Sequence, residues 1–336
     1  MPVETDIVII GGGAAGLTAA IAAQNAGLTS VVLERQAAIG DSAGESMHPG
    51  IAPIVGQLGL LPDFERAATG RFPGILVRDG CRGERFEPFG EAGGAPWLGY
   101  HTPRRRLARL LCRRARELGS TIAFGCKVTD MDVAGKATVV VTAGSQTVRA
   151  KWLLDASGPA GFAVRRDRTG YRRASPPGTV AYSYDRQPRF QDRQNRPGLP
   201  ASCTPVLQIE PWGWTWTAPL GNGVTASVAL YRNARAKAEH KSGPPGRVRY
   251  ADGTWVVANR PSQRGVFRIG DAALRFDPSS GKGVLRAMMT AMMAVHLVGA
   301  IGQRSVTGPD AVAFYNGWIH RWFRHDAEAL SRALPV

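Results

Sequence analysis

Lysine is scarce in this chain. Its six lysines are Lys127, Lys136, Lys151, Lys237, Lys241 and Lys282, so the net charge of +16 comes almost entirely from arginine. The arginines form no single dense run and no platform interleaved with aromatic residues, which argues against a nucleic-acid partner. The charge leaves two interpretations open: an acidic macromolecular partner, or only the arginine, alanine and glycine richness of a GC-rich genome.

The chain also lacks cysteine pairs and uninterrupted apolar runs of membrane length. Its four cysteines, at positions 81, 112, 126 and 203, show no CxxC or other ligand spacing. We therefore expect a reducing cytoplasm, with neither disulfides nor a metal site. The longest apolar stretch, residues 284–301, contains Arg286 and His296, which indicates a buried helix and no transmembrane segment. No basic leader precedes the first predicted strand, so no signal peptide is expected.

What the chain does have is a glycine-rich turn after its first predicted strand. A strand over residues 6–10 leads into Gly11, Gly13 and Gly16, where a helical pattern starts. The first glycine permits a tight turn, the second lets a pyrophosphate approach the backbone, and the third lets helix and strand pack closely. Glu34 ends a second apolar strand, near the spacing expected for the acid that binds a ribose hydroxyl. The whole βαβ unit predicts a dinucleotide site at a helix N-terminus.

Two later segments repeat the break from strand to glycine. Residues 155–158 follow one predicted strand, and Gly270 and Asp271 follow another. A turn-rich loop over residues 277–283 and a long apolar helix come next. Three separated segments therefore point to one dinucleotide.

In combination, these motifs resemble the FAD-dependent monooxygenase superfamily with the para-hydroxybenzoate hydroxylase fold, over nearly the whole chain. The resemblance implies an α/β protein, in which a Rossmann-type, GR2-like FAD-binding domain is interleaved with a mostly antiparallel β-sheet substrate domain. The implied domains are an FAD-binding domain over residues 1–73, 101–165 and 262–302, a substrate domain over residues 74–100 and 166–261, and a C-terminal helix within residues 303–336.

The resemblance also implies roles at the FAD site. Asp271 would hydrogen-bond the ribityl or pyrophosphate region, and Pro278 would pack beside the isoalloxazine. The helix that begins at Gly283 would direct its positive dipole end at the flavin N1–C2 carbonyl. Arg104 matches an arginine near FAD, on a helix that we expect Thr102 to cap, although a solvated basic face is the alternative. The implied cofactor-binding residues are Gly11, Gly13, Ala14, Ala15, Gly16, Glu34, Arg35, Ser46, Arg104, Val128, Ala156, Gly158, Gly270, Asp271, Pro278, Gly281, Gly283 and Val284.

Within that superfamily the chain most resembles the flavin-dependent halogenases and the LodB-like flavoproteins that mature tryptophan-derived quinone cofactors. Residues 44–49, GESMHP, resemble the halogenase GExxxP segment, and residues 58–60 contain its downstream LG pair. Residues 214–219, WTWTAP, resemble the WxWxIP signature, with Ala218 in the isoleucine place. In that family the tryptophans separate flavin from substrate, and sheet core is the alternative interpretation. The predicted substrate-pocket residues are Phe72, Trp97, Trp212, Trp214 and Trp216.

One departure from the halogenase pattern concerns the chemistry. Halogenases carry a lysine downstream of GExxxP that captures hypohalous acid, and here Phe72 occupies the corresponding place. Arg71 cannot replace it, because a guanidinium is too basic and too delocalised to form a chloramine-like adduct. Lys282 lies in the predicted cofactor loop, where we expect it to stabilise flavin charge. The predicted catalytic residues are His48, as acid–base group or hydrogen-bond donor, Glu45, which orients its loop, Pro278 and Lys282. For His48 the alternative is a loop histidine whose hydrogen bonds are satisfied within the protein.

These features favour an FAD-dependent monooxygenase that hydroxylates an electron-rich aromatic group through a flavin C4a-hydroperoxide. The resemblance favours a tryptophan side chain of a peptide or protein with an acidic surface, as in quinone cofactor biosynthesis. Molecular oxygen and an external reductant, either a flavin reductase or NAD(P)H, are the other implied partners. The alternatives are a halogenase with an atypical active site, a geranylgeranyl-reductase-like flavoprotein, and a flavin-bound scaffold without catalytic activity.

Overall fold

The computed structural model describes residues 3–40, 43–134, 138–144, 146–186, 203–221, 223–239, 244 and 247–334. Within these residues the α-helices are α1 (Ala14–Asn25), α2 (Ile51–Gln57), α3 (Leu61–Ala67), α4 (Arg104–Glu117), α5 (Phe162–Arg166), α6 (Ala234–Glu239), α7 (Gly283–Gly302) and α8 (Gly308–Ala333). Short 3-10 turns lie at Gly158–Ala160, Gly270–Ala272 and Pro278–Ser280.

Strands make up the rest of the regular structure. In the first part of the chain they are β1 (Val3–Ile10), β2 (Ser30–Glu34), β3 (Ser46–Met47), β4 (Gly70–Phe72), β5 (Gly74–Asp79), β6 (Gly83–Pro88), β7 (Glu91–Ala92), β8 (Ala95–Pro96), β9 (Gly99–His101), β10 (Thr121–Phe124), β11 (Val128–Ala134), β12 (Thr138–Ala143) and β13 (Gln146–Asp155). Later strands are β14 (Tyr171–Arg173), β15 (Thr179–Asp185), β16 (Val206–Glu210), β17 (Gly213–Pro219), β18 (Thr225–Tyr231), β19 (Arg249–Asp252), β20 (Val256–Ala258), β21 (Ser262–Gln263), β22 (Val266–Arg268) and β23 (Leu274–Arg275).

The first sheet is built around β1. This strand runs parallel to its neighbours β2 and β13, and β10 continues the parallel part beside β2. An antiparallel ribbon of β11 and β12 joins the start of β13, while the end of β13 pairs with β22 in parallel. Ile7 and Ile9 pack with α1 and α7, whereas Val8 and Ile10 pack with Val141 and its neighbours in the ribbon. Because both faces of β1 are covered, its apolar run is continuous, and the predicted α/β architecture is confirmed.

The second sheet has seven strands in the order β19-β15-β18-β17-β16-β5-β6. All neighbours are antiparallel except β16 and β5, which are parallel. Trp214, Trp216 and Ala218 alternate along β17 and pack into one core, which Leu334 joins from the end of α8. This mostly antiparallel sheet agrees with the predicted fold class.

Two long helices, α7 and α8, hold the end of β22 in place. The N–H of Gly270 donates to Oγ1 of Thr290 on α7 (2.8 Å), and the hydroxyl of Tyr315 on α8 donates to the carbonyl oxygen of Arg268 (2.8 Å). By length and composition α7 could cross a membrane, but 56% of its apolar window is buried inside the protein. It is therefore a core helix that positions the Gly270–Ala272 turn.

The helix predicted to start after Thr102 begins differently. Pro103 is the N-cap of α4, so Thr102 lies outside the helix, and its Oγ1 has no hydrogen-bond partner within the described residues. The N–H of Thr102 instead donates to the carbonyl oxygen of Glu45 (2.9 Å). The predicted Thr102 cap is wrong, because the extended backbone of Pro103 takes the cap position.

Candidate functional site

The glycine turn after β1 is packed against main-chain atoms. Gly11 has φ +107°, and a Cβ there would lie 2.4 Å from the carbonyl oxygen of Ala156. A Cβ on Gly16 would lie 1.9 Å from the carbonyl oxygen of Gly11. Any side chain at these two positions would force the turn away from the neighbouring strand. Gly11 and Gly16 are therefore required by packing within the protein.

Gly13 faces open space. It is the N-cap of α1, which has no side-chain cap and no acidic residue in its first turn. A Cβ on Gly13 would meet no atom within 4 Å, and the residue lines a cleft of about 410 Å³. Unpaired N–H groups at a helix N-terminus beside an open cleft suit a bound phosphate. The cleft therefore fits the pyrophosphate of a dinucleotide.

The cleft gathers predicted cofactor residues from separate segments. Its walls include Gly11, Gly13, Ala14, Glu34, Arg35, Arg104, Val128, Ala156 and Gly158. Buried Asp155 holds the Ala156–Gly158 wall, because its carboxylate accepts hydrogen bonds from the N–H groups of Ser157 (3.0 Å) and Ala163 (2.8 Å). The carboxyl ends of β1, β2 and β13 thus meet at one place.

The carboxylate of Glu34 accepts a hydrogen bond from the glycine turn. Its Oε2 accepts a hydrogen bond from the N–H of Gly12 (2.6 Å), and its Oε1 accepts one from the N–H of Gln36 (2.8 Å). Each carboxylate oxygen can accept a second hydrogen bond. The geometry therefore leaves acceptor capacity for a ribose hydroxyl, which remains a prediction.

The turn after β22 packs on the start of α1. Gly270 has φ +58°, and a Cβ there would lie 2.9 Å from the Cβ of Ala15. Next to it, Asp271 interacts electrostatically with Arg104 of α4. Asp271 is exposed to solvent, and the charge of Arg104 favours its carboxylate form. The structure thus brings together Asp271 and Arg104, two predicted cofactor residues, beside the cleft.

We call residues 277–283 the cofactor loop. It begins with the Pro278–Ser280 turn and leads into α7 at Gly283, after which Val284 is buried. The N–H of His48 donates to the carbonyl oxygen of Gly281 (3.3 Å). The GExxxP-like segment therefore lies directly on the cofactor loop.

Glu45 is nearly buried, with 9% of its surface exposed. Its Oε1 accepts a hydrogen bond from the hydroxyl of Tyr184 (2.6 Å) at the end of β15. Burial raises the pKa of Glu45, whereas the Tyr184 hydrogen bond and the charge of Arg104 lower it. No local sequence pattern predicts the contact between Tyr184 and Glu45, because the two residues are 139 positions apart. It links the cofactor side of the site to the seven-stranded sheet.

His48 lies in an aromatic cluster. Its ring makes edge contacts with Phe89 (5.5 Å) and Trp97 (5.6 Å), measured between ring centroids. Burial, followed by the charges of Lys282 and Arg286, lowers the pKa of His48 to about 4. Its Nδ1 accepts a hydrogen bond from the N–H of Gly50 (3.1 Å), so the neutral ring carries its proton on Nε2. His48 is therefore a hydrogen-bond donor at neutral pH.

Phe72 is buried beside a histidine that the sequence analysis did not single out. Its ring stacks on His101, with 4.4 Å between centroids, and lies 5.6 Å from the ring of Phe89. The Nε2 of His101 donates to the carbonyl oxygen of Cys203 (2.8 Å), so its Nδ1 accepts from the hydroxyl of Ser46 (3.0 Å). Burial lowers the pKa of His101 to about 4. The hydroxyl of Ser46, a predicted cofactor residue, is thus used to hold His101.

The tryptophans predicted for the substrate pocket separate into three environments. Trp97 is 36% exposed, at the rim of the His48 cluster. Trp214 and Trp216 are buried in the core of the seven-stranded sheet. Trp212 stacks on Tyr231, with 5.3 Å between centroids, in a different apolar cluster. The structure brings only Trp97 of this set into contact with His48 within the described residues.

Lys282 is the N-cap of α7 and lies near a buried acid from α8. Its Nζ is 3.7 Å from Oδ1 of Asp326. The other carboxylate oxygen of Asp326, Oδ2, pairs with Arg286. The Arg286 guanidinium lies 4.5 Å above the ring centre of Trp322. No sequence pattern marked Asp326, because its partners are on another helix. This ion-pair cluster links Lys282 to α8, and the charge of Lys282 acts on His48.

The sequence and the fold have counterparts among known proteins. A family model described as FAD dependent oxidoreductase matches residues 6–167. A tryptophan 2-halogenase of Chondromyces crocatus is 24% identical over 375 residues, covering 96% of this chain and 67% of the relative. The myxobacterial chondrochloren halogenase CndH has a TM-score of 0.84 and 21% identity, covering 98% of this chain and 82% of that one. A variant of the halogenase PltM in complex with FAD has a TM-score of 0.82 and 13% identity, covering 97% and 75%.

These similarities differ in what they show. The structural matches are distant in sequence and therefore show the fold. The chain spans between 39% and 67% of the length of the first curated relatives that it matches. The family match covers the glycine turn, Glu34 and the Asp155–Gly158 segment. Residues 6–167 therefore match the FAD dependent oxidoreductase family, and the described chain has the Rossmann-type fold seen in these halogenase structures.

Proposed function

We propose that the protein is an FAD-dependent monooxygenase that hydroxylates an electron-rich aromatic group. The observation that carries the proposal is Phe72, which stands where the halogenase resemblance expects a lysine. Its ring is 2% exposed and stacked on His101. No amine is present at this place to capture hypohalous acid, so oxygen transfer to the substrate itself is the chemistry we favour.

The cofactor and the chain have separate tasks in this reaction. Reduced FAD, when bound, activates molecular oxygen, so that one oxygen atom enters the ring and the other leaves as water. His48 offers a neutral Nε2–H to a substrate or oxygen lone pair. Phe89 and Trp97 beside it provide aromatic surface that orients a planar ring and excludes water. Lys282 places a positive charge near His48, and we assign it to stabilising the reduced flavin.

We infer that the aromatic group is a tryptophan side chain in a peptide or protein. The relative named tryptophan 2-halogenase supports an indole substrate, and the net charge of +16 supports a partner with an acidic surface. An external flavin reductase or NAD(P)H supplies the electrons, and the cytoplasm is the compartment we propose. The cofactor roles of the residues singled out in the sequence, the pocket roles of Phe72 and Trp97, and the domain boundaries given there belong to the same proposal.

Mass spectrometry of reaction products tests the proposal directly. Holoenzyme is reduced chemically without air, mixed with acidic peptides that contain either tryptophan or leucine at one position, and exposed to isotopically labelled oxygen. We expect the tryptophan peptide to gain one labelled oxygen atom and the leucine peptide to stay unchanged. The Gly13→Val protein, which should not bind FAD, is the control for non-enzymatic oxidation. Product formation without oxygen incorporation would refute the assignment.

Halogenation is the second candidate, because the curated relatives named above are halogenases. Lys282, held by Asp326 near His48, is the amine that could carry it out. Adding chloride or bromide to the same reaction separates the two candidates. A halogenated peptide that disappears in Lys282→Met would favour halogenation; an oxygenated product that is indifferent to halide favours hydroxylation.

A further inference from the structure

Asp277 is a buried acid at the start of the cofactor loop, with 3% of its surface exposed. Its Oδ1 accepts hydrogen bonds from the N–H of Ser279 (2.9 Å) and from the hydroxyl of Ser279 (2.6 Å). These bonds close the turn that carries Pro278, the residue predicted to lie beside the isoalloxazine. The position of Asp277 therefore determines the position of Pro278.

One tryptophan donates to the other oxygen of the same carboxylate. The Nε1–H of Trp214 on β17, in the seven-stranded sheet, donates to Oδ2 of Asp277 (3.2 Å). Trp255, which precedes β20, lines the same small cavity as Trp214 and Asp277. Ser279 supplies two donors and Trp214 one, within what one carboxylate can accept. The buried acid therefore has these hydrogen bonds only when β17 lies beside the cofactor loop.

We propose that Trp214 is a positioning residue that holds the cofactor loop through Asp277. Trp214 is 1% exposed, so neither face of its indole is free to stack on a substrate. Its N–H group is what distinguishes it from phenylalanine at this place. The second tryptophan of the WTWTAP segment, Trp216, packs in the same core without this bond. This inference rests on the proposed function only for the expected change in kcat; the expected changes in FAD affinity and absorption spectrum do not depend on it.

The pair Trp214→Phe and Trp216→Phe provides the test. Both changes remove an indole from the same face of β17, but only the first removes a donor to Asp277. We expect Trp214→Phe to raise the FAD dissociation constant about 10-fold, to shift the visible absorption spectrum of bound FAD, and to lower kcat with KM for the peptide unchanged. Trp216→Phe should stay within about twofold of the wild type in FAD affinity, with an unshifted spectrum. Equal effects of the two changes would overturn the proposal.

A double-mutant cycle shows whether Trp214 acts through the carboxylate. In an Asp277→Ala background, Trp214→Phe should add little further loss of FAD affinity, because the acceptor that Trp214 served is gone. Full additivity would overturn the proposal. If Asp277→Ala does not retain FAD, the comparison of Trp214→Phe with Trp216→Phe decides the proposal. FAD affinity and spectrum report the outcome even if no peptide is hydroxylated, so failure of this inference and failure of the proposed function are distinguishable.

Discussion

Replacing Gly13 by alanine should separate cofactor binding from folding. Gly13 has φ −79° and ψ −172°, a conformation open to any residue, and its Cβ would meet no protein atom within 4 Å. Alanine is a poorer N-cap by about 1 kcal/mol, but it lowers the entropy of the unfolded chain by about 0.4–1 kcal/mol. These terms nearly cancel, so the apoprotein should unfold at the wild-type urea concentration.

FAD affinity should respond differently, because the added methyl group would occupy the cleft beside the first turn of α1. Keeping a phosphate from one backbone N–H removes a charge-assisted hydrogen bond worth about 1.5–3 kcal/mol. That corresponds to an increase of about 10- to 100-fold in the FAD dissociation constant. Titration of apoprotein with FAD, followed by flavin fluorescence, measures it.

Gly16→Ala is the contrasting variant. Its Cβ would lie 1.9 Å from the carbonyl oxygen of Gly11, so the main chain must move, at a cost of about 3 kcal/mol. The apoprotein itself should then unfold at lower urea. Wild-type FAD affinity in Gly13→Ala, or wild-type urea stability in Gly16→Ala, would refute the reasoning.

Three further predictions concern buried polar groups. Burial lowers the pKa of His101 from 6.5 to about 4, so the unfolded state binds a proton before the folded state does when the pH falls. The free energy of unfolding should therefore decrease as the pH falls from 6.5 to about 4. Urea titrations of His101→Gln should show a weaker pH dependence over this range. Arg268 is fully buried in an ion pair, so Arg268→Ala should lower the free energy of unfolding by about 3 kcal/mol. Arg264 is exposed, and the control Arg264→Ala should change the free energy of unfolding by less than about 0.5 kcal/mol. Tyr184→Phe removes a hydrogen bond that lowers the pKa of Glu45, so this pKa should rise further, as carbon-13 NMR of labelled glutamate would show; an unchanged value contradicts the assigned contact.

The sequence was informative where the pattern is local. The strand, turn and helix around Gly11–Gly16, the strand that ends at Asp155, and the apolar helix after Gly283 are short stretches whose spacing reports their own conformation. The first two converge on one cleft, which follows from the rule that parallel strands end at the same edge of a sheet. The α/β architecture was therefore predictable from these segments.

The site was less predictable where it depends on distant pairs. Ser46 and His101 are 55 positions apart, and Arg286 and Asp326 are 40 apart. Nothing in the local composition of either partner signals the other. The role of Trp214 was not predictable for the same reason. The WTWTAP segment predicts a tryptophan in the pocket wall, whereas the Trp214 N–H donates to Asp277. Side-chain partners set by tertiary packing require the folded structure.

The strand pairings also determine when the protein can fold. β22, residues 266–268, completes the sheet that begins at β1, and β5 pairs with β16 across more than a hundred residues of intervening chain. Loop-closure entropy for such non-local pairs must be overcome before their contacts form, which slows folding. On the ribosome, neither sheet can be completed until most of the chain has been synthesised. We therefore expect the N-terminal segments to depend on chaperones during synthesis, and fragments ending before β22 to be unsuitable as minimal FAD-binding proteins.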